Sequence, residues 1–251
     1  MAGLQSPCFM ALGQQGSGKS SYLREVATHY KEVIQPPFFV VINTTPEFKE
    51  FCSHHERFDL ERLEKGYTAA QFEKLIRIRK SVHFEIPDYG KDMIPVLDAL
   101  FRALMNLGVF DADGCTCFVL IDECHVFLAK DVFSRQSKLY CTESRKFGLH
   151  TALATQQLAS SSQYTIHKMA LNMVNVWAIF PTTEVNNRKR VEETLQGTIP
   201  NPAFLAMPDP EKGWGPEYLI FDKLHNKRGK VTRLPDGSRI FQEIDNYGNA
   251  A

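Results

Sequence analysis

The sequence has no excess of charge of either sign: 29 lysines and arginines balance 29 aspartates and glutamates across 251 residues. That excludes a generally polybasic coat or histone-like binder and leaves nucleic acid only a local basic patch to hold. No apolar run approaches the ~18 residues that a membrane-crossing helix needs. Residues 1–19 lack a basic start and break into Gly and Gln too early for a secretory signal, so a soluble, intracellular chain is expected. The six cysteines (Cys8, Cys52, Cys115, Cys117, Cys124, Cys141) are then expected as free thiols. They show no paired CxxC spacing. The two loose groups, Cys52 with His54 and His55, and Cys115, Cys117 and Cys124 with His125, read better as packed thiols than as zinc ligands. Internal repeats, low-complexity tracts and flexible linkers are missing too. With 43% hydrophobic and 23% charged residues, the composition excludes disorder.

What is present starts at the eighth residue. Cys8-Phe-Met-Ala-Leu12 is a short strand-like run, followed directly by Gly13-Gln14-Gln15-Gly16-Ser17-Gly18-Lys19-Ser20, the pattern GxxxxGK[ST] of a phosphate-binding loop. Ser21 opens a stretch in which Leu23, Val26, Ala27 and Tyr30 recur at helical spacing. Strand, loop and helix are the context the motif needs. Glycines allow close approach of backbone to ligand, and the loop amides and helix N-terminus face the phosphates. Lys19 would reach the β/γ-phosphates and the Ser20 hydroxyl would ligate Mg²⁺, with ATP as the nucleotide.

Such a loop needs an acid to hold the metal. Cys117-Phe-Val-Leu-Ile121 reads as a strand buried on both faces and ends in Asp122-Glu123. Asp122 is the expected metal residue and Glu123 the carboxylate that orients and deprotonates water. A water-activating Glu favours hydrolysis over phosphoryl transfer to a small acceptor. A third run, His150-Thr-Ala-Leu-Ala-Thr-Gln156-Gln157, should end at the same sheet edge, where Gln156 would sense the γ-phosphate or the water.

The combination GQQGSGKS, CFVLIDE and ESRKFGLHTALATQQL resembles the FtsK–HerA superfamily of P-loop ATPases. The similarity extends to Asn175–Phe180 and Pro216–Asp222, and in compactness it is nearest to the genome-packaging ATPases of icosahedral viruses with an internal membrane. The resemblance implies a RecA-like, ASCE-type α/β fold and a ring homo-oligomer, expected as a hexamer, that drives double-stranded DNA by ATP hydrolysis. It implies docking to a capsid portal or membrane protein, in the host cytoplasm or at the packaging vertex. By the family's arginine–glycine–sensor order, Arg145 is the candidate to act on a neighbouring subunit's nucleotide, with Arg188 second. Related alternatives are a motor for single-stranded DNA, virion assembly or conjugation. Alternatives of another class are a nucleotide-dependent switch and a small-molecule kinase.

Elsewhere, Phe38–Ile42 and Val82–Ile86 read as strands, Thr68-Ala-Ala-Gln71 as a capping box, and 93–107 as a helix with Leu97, Leu100, Phe101 and Leu104 at core spacing. Alternation of strands and helices implies a mostly parallel sheet flanked by helices. One domain over 1–251 is expected, with a core to about 207 and a C-terminal β extension over 208–251. Three basic clusters stand out: Lys74 to Lys80, Arg188-Lys189-Arg190, and Lys223 to Arg233. Sequence-independent DNA contact is expected from the last, with Lys227, Arg228 and Lys230 the candidates, or from the 74–80 cluster.

Overall fold

Apolar runs without polar alternation need cover on both faces, and the fold supplies it. A computed structural model describes residues 6–158, 165–209, 211–213 and 215–245. Along the chain come β1 (Cys8–Leu12), α1 (Lys19–His29), β2 (Phe38–Asn43), β3 (His54–Arg57), α2 (Leu60–Lys65), α3 (Ala69–Arg79), β4 (Ser81–Glu85) and α4 (Ile94–Leu107). Then follow β5 (Cys117–Ile121), α5 (Cys124–Phe127), α6 (Arg135–Glu143), β6 (Leu149–Thr155), α7 (Lys168–Met173), β7 (Val176–Ile179) and α8 (Val185–Leu195). The last elements are β8 (Glu217–Asp222), β9 (Lys227–Arg233) and β10 (Arg239–Glu243).

The ten strands form one sheet in the order β10-β9-β8-β7-β1-β6-β5-β2-β4-β3. Strands β1 to β7 pair in parallel, and β8, β9 and β10 add to β7 as antiparallel neighbours. The α/β architecture read from the sequence is thus present, and its C-terminal β extension continues the main sheet. In β5, Cys117, Val119 and Ile121 face one core with Met10, Ile42 and Phe101, whereas Phe118 and Leu120 face a second with Leu23 and Tyr30. Under α1 the sheet presents Ala11, Ala152, Ala154 and Ala178, small residues that let the helix carrying the phosphate loop approach closely.

The Thr68–Gln71 capping box forms, and Leu97, Leu100, Phe101 and Leu104 of α4 are buried as their spacing requires. Strand β3 has no apolar alternation to announce it. It is a polar edge, held to β4 by His55 and Arg57 on the buried Glu85 at 3.0 and 3.3 Å. His54 pairs with Glu56 at 2.8 Å. The histidines beside Cys52 are therefore engaged by carboxylates in a sheet edge. Among the described residues no helix is long and apolar enough to cross a membrane.

Candidate active site

Parallel strands set their carboxyl ends at one edge, and here that edge gathers the motif residues from distant segments. Leu12 of β1 is in register with Thr155 of β6 and Ile179 of β7, while Ile121 of β5 stands beside Ile42 of β2. The phosphate loop leaves β1 between the ends of β6 and β7. It is anchored there by the Gln14 N–H donating to Pro181 O at 3.0 Å and the Phe180 N–H donating to Leu12 O at 2.7 Å. Two glycines are forced by this packing. A Cβ on Gly13 would lie 2.6 Å from the Phe180 Cβ, and Gly18, at φ +100°, would put one 2.4 Å from the Pro216 Cγ. The buried Lys19 ammonium donates across the loop to Gln14 O at 2.9 Å. Burial pulls its pKa down, opposed by Glu123 and Asp122. Inside the loop the Ser17 hydroxyl is buried without a hydrogen-bond partner among the described residues.

Asp122 is buried at the end of β5. Its Oδ1 accepts the Glu123 N–H at 3.0 Å and its Oδ2 accepts the Asn43 amide at 3.2 Å. Burial, helped by the neighbouring Glu123, pushes its pKa up to about 7. Glu123 adopts a left-handed backbone at φ 47°, which turns its carboxylate out of the strand. Gln156 Nε2 donates to its Oε1 at 2.9 Å, and His125 Nδ1 stands 3.2 Å from its Oε2. Burial acts to raise the Glu123 pKa, but His125, Gln156 and Lys19 outweigh it and hold the carboxyl below its usual range. Adjacent carboxyls are thus driven apart, one toward the neutral form and one firmly ionised.

The network also settles the His125 tautomer. The Thr155 hydroxyl donates to Gln157 O at 2.8 Å, so toward His125 Nδ1, 3.1 Å away, it accepts. The Nδ1 proton is therefore directed at Thr155, with the Glu123 Oε2 3.2 Å from the same nitrogen. Behind Gln156, the buried Asn187 of α8 donates to the Gln156 carbonyl at 2.9 Å and accepts the Leu158 N–H at 2.8 Å. It clamps the loop that carries the glutamine.

Lys19, Asp122, Glu123 and Gln156 are thus brought to one edge beside the phosphate loop, Gly13 to Ser21. Arg145 is not. It lies in the turn Ser144–Phe147 before β6, where its carbonyl accepts the Ser6 hydroxyl at 2.9 Å. The seven residues of β6 separate it by about 20 Å from the Gln156 end. It stands at the opposite sheet edge, away from this chain's own phosphate loop. Arg188 is on α8, with its guanidinium held by Glu192 Oε1 at 3.1 Å and Ile199 O at 3.1 Å. At the start of β9, Lys227 is exposed and Arg228 half-buried, whereas Lys230 donates to Glu217 at 3.0 Å. Asn43, His125, Thr155 and Asn187 were missed by the motif reading. Asn43 and Thr155 had a usable signal, each a polar residue closing a strand-like run; the other two had none.

No protein-family model matches this chain, and no curated protein matches its sequence. Solved structures do match. The genome-packaging NTPase B204 from Sulfolobus turreted icosahedral virus 2, in complex with AMP, superposes with a TM-score of 0.59 at 14% identity, covering 90% of this chain and 96% of that one. Its complex with ATP-gammaS gives 0.58 at 14% identity over 90% and 96%. B204, the DNA-packaging ATPase from Sulfolobus turreted icosahedral virus, gives 0.55 at 14% identity over 89% and 96%. The chain has the fold of these P-loop NTPases.

Proposed function

We propose that this protein is an ATP-hydrolysing motor of the FtsK–HerA type that moves double-stranded DNA during viral genome packaging. One observation carries the reading: an ionised Glu123, aimed by Gln156 and His125, stands beside a complete phosphate loop. A binding-only switch has no use for a base held ready in this way. The step to DNA is supported by the fold shared with B204.

In this reading the loop amides and Lys19 hold the β- and γ-phosphates. Ser20 and Asp122 would hold Mg²⁺. The donor set fits, because a hydroxyl and a carboxylate are hard oxygen ligands, and a buried carboxyl with its pKa near 7 is one that a cation would stabilise. The bound ion would neutralise charge on the phosphate oxygens. Glu123 takes a proton from the water as its oxygen bonds to the γ-phosphorus. The bond to the β–γ bridging oxygen breaks, and its electron pair leaves with ADP. Gln156 keeps the base aimed, and Asn187 keeps Gln156 in place. The motor reading calls for a ring, a hexamer by family resemblance, in which an arginine such as Arg145 reaches the next subunit's nucleotide.

The test is ATP turnover by the full chain with and without duplex DNA, at low salt. Stimulation by the duplex supports a motor. Turnover indifferent to duplex overturns it, and transfer of phosphate to a small acceptor in place of water would make the protein a kinase.

A further inference from the structure

Along β7, away from the phosphate loop, lies a second feature rich in charge. The turn between β8 and β9 and the last turn of α8 enclose a groove of about 460 Å³. Its walls include Lys223, Lys227 and Arg228, with Gln196, Asn226 and Asp222. The register Val176↔Asp222, and the Lys223 N–H donating to Asn175 O at 2.8 Å, fix it at the amino end of β7.

Five basic residues lie between 223 and 233, and the fold divides them. Lys230 is taken by Glu217 at 3.0 Å and Arg233 by Glu25 at 2.7 Å. Lys223, Lys227 and Arg228 form no ion pair among the described residues, and all three line the groove. The acid in the wall is already occupied. Asp222 accepts the N–H groups of Leu224 and His225 at 2.8 and 3.1 Å, and the His225 ring approaches it at 2.6 Å. Desolvation lowers the Lys223 ammonium pKa, as expected for a cation drawn partly into a cleft. The groove therefore holds three positive charges against the single negative charge of Asp222, a local excess of cations in a chain whose net charge is zero.

We propose that this groove binds the phosphodiester backbone of double-stranded DNA; the proposal rests on the motor reading above. A backbone offers phosphates in series, so one strand can meet all three cations, and none of these groups needs to read a base. Arg228 supplies a fork for two phosphate oxygens, and the lysines act as point charges. The groove is also mechanically joined to the nucleotide site. Strand β9 begins in it at Lys227 and ends at Arg233, whose guanidinium sits on Glu25 of α1, the helix that carries Lys19 and Ser20. A load on the groove has a direct path to the phosphate loop.

Fluorescence anisotropy of a labelled mixed-sequence duplex, titrated with the full chain across a salt series, tests this. The triple variant Lys223→Gln, Lys227→Gln, Arg228→Gln is expected to reduce the log–log salt slope by about 2–3, at ~0.9 per lost phosphate contact. The charge-keeping set Lys223→Arg, Lys227→Arg, Arg228→Lys should retain the slope, and so should Lys230→Gln. If the triple variant melts below wild type, the exposed Lys227→Gln alone is read, for a change of about 0.9. A wild-type slope in these Gln variants, with the wild type binding duplex, overturns the groove and leaves the motor reading standing. A wild type that fails to bind duplex even at low salt overturns both. Preference for polyglutamate over duplex, lost in the triple variant, would assign the groove to an acidic protein partner and overturn the proposal.

Discussion

Replacing Glu123 by Gln removes one charge and keeps the side-chain shape, so it separates chemistry from binding. In the wild type the two carboxylate oxygens face two donors, Gln156 Nε2 at 2.9 Å and His125 Nδ1 at 3.2 Å. A glutamine offers one oxygen and one NH₂, so one donor loses its acceptor; His125 still has Thr155 at 3.1 Å. The folding cost is one modest hydrogen bond, about 1 kcal/mol. The effect on Asp122 has the opposite sign. Part of what lifts its pKa to about 7 is repulsion from Glu123. With that charge gone the pKa falls, fewer protons compete with a cation at neutral pH, and binding of an ATP analogue with Mg²⁺ should be no weaker. Turnover should fall by ~10²–10⁴, the usual worth of a positioned base. That corresponds to about 3–5 kcal/mol of barrier at ~1.4 kcal/mol per tenfold. Single-turnover phosphate release measures the chemistry, and titration with a fluorescent nucleotide measures the affinity. Phosphate release within tenfold of wild type would refute the assignment of Glu123 as the base. So would a collapse of affinity with unchanged turnover per bound nucleotide.

Three further outcomes follow from the packing. Gly18→Ala must place a Cβ 2.4 Å from Pro216 in a φ +100° backbone, so it should lose about 1–2 kcal/mol and its nucleotide binding; normal binding would show that the loop relaxes freely. The buried His83 donates from Nε2 to the Glu47 carbonyl, 3.0 Å away, and burial pulls its pKa down to about 4. Because the unfolded chain then binds more protons between about pH 4 and 6.5, stability present above pH 6.5 is lost on acidification, about 2 kcal/mol by pH 5. Urea unfolding at pH 7 and pH 5 should show a smaller acid loss in His83→Gln, and an equal loss would refute the account. Phe118, fully buried and stacked on Tyr30 with ring centroids 4.0 Å apart, should cost about 3–5 kcal/mol on replacement by Ala; a urea midpoint near wild type would contradict that packing.

The parts legible in the sequence are those whose physics is local. A phosphate loop is a backbone shape enforced by Gly13, Gly16 and Gly18 within eight residues, so its spacing alone displays it. The same holds for the runs Phe38–Ile42 and Cys117–Ile121, whose unbroken apolarity demands cover on both faces, and for the capping box at Thr68. With Asp122 and Glu123 at a strand end, the fold class and the chemical core of the site follow.

The rest depended on which distant segments become neighbours. Strand order put Asn43 of β2 on Asp122, and α8 put Asn187 on the Gln156 loop; these contacts span 79 and 31 positions in the chain. Arg145 precedes Gln156 closely in sequence, yet the extended length of β6 carries the two to opposite sheet edges. Five cations between 223 and 233 look alike in a sequence. Only the approach of Glu217 and Glu25 neutralises two of them and leaves three to define a groove. Charge and hydrogen bonding act through space over a few ångströms, and the sequence sets those distances only through the completed fold.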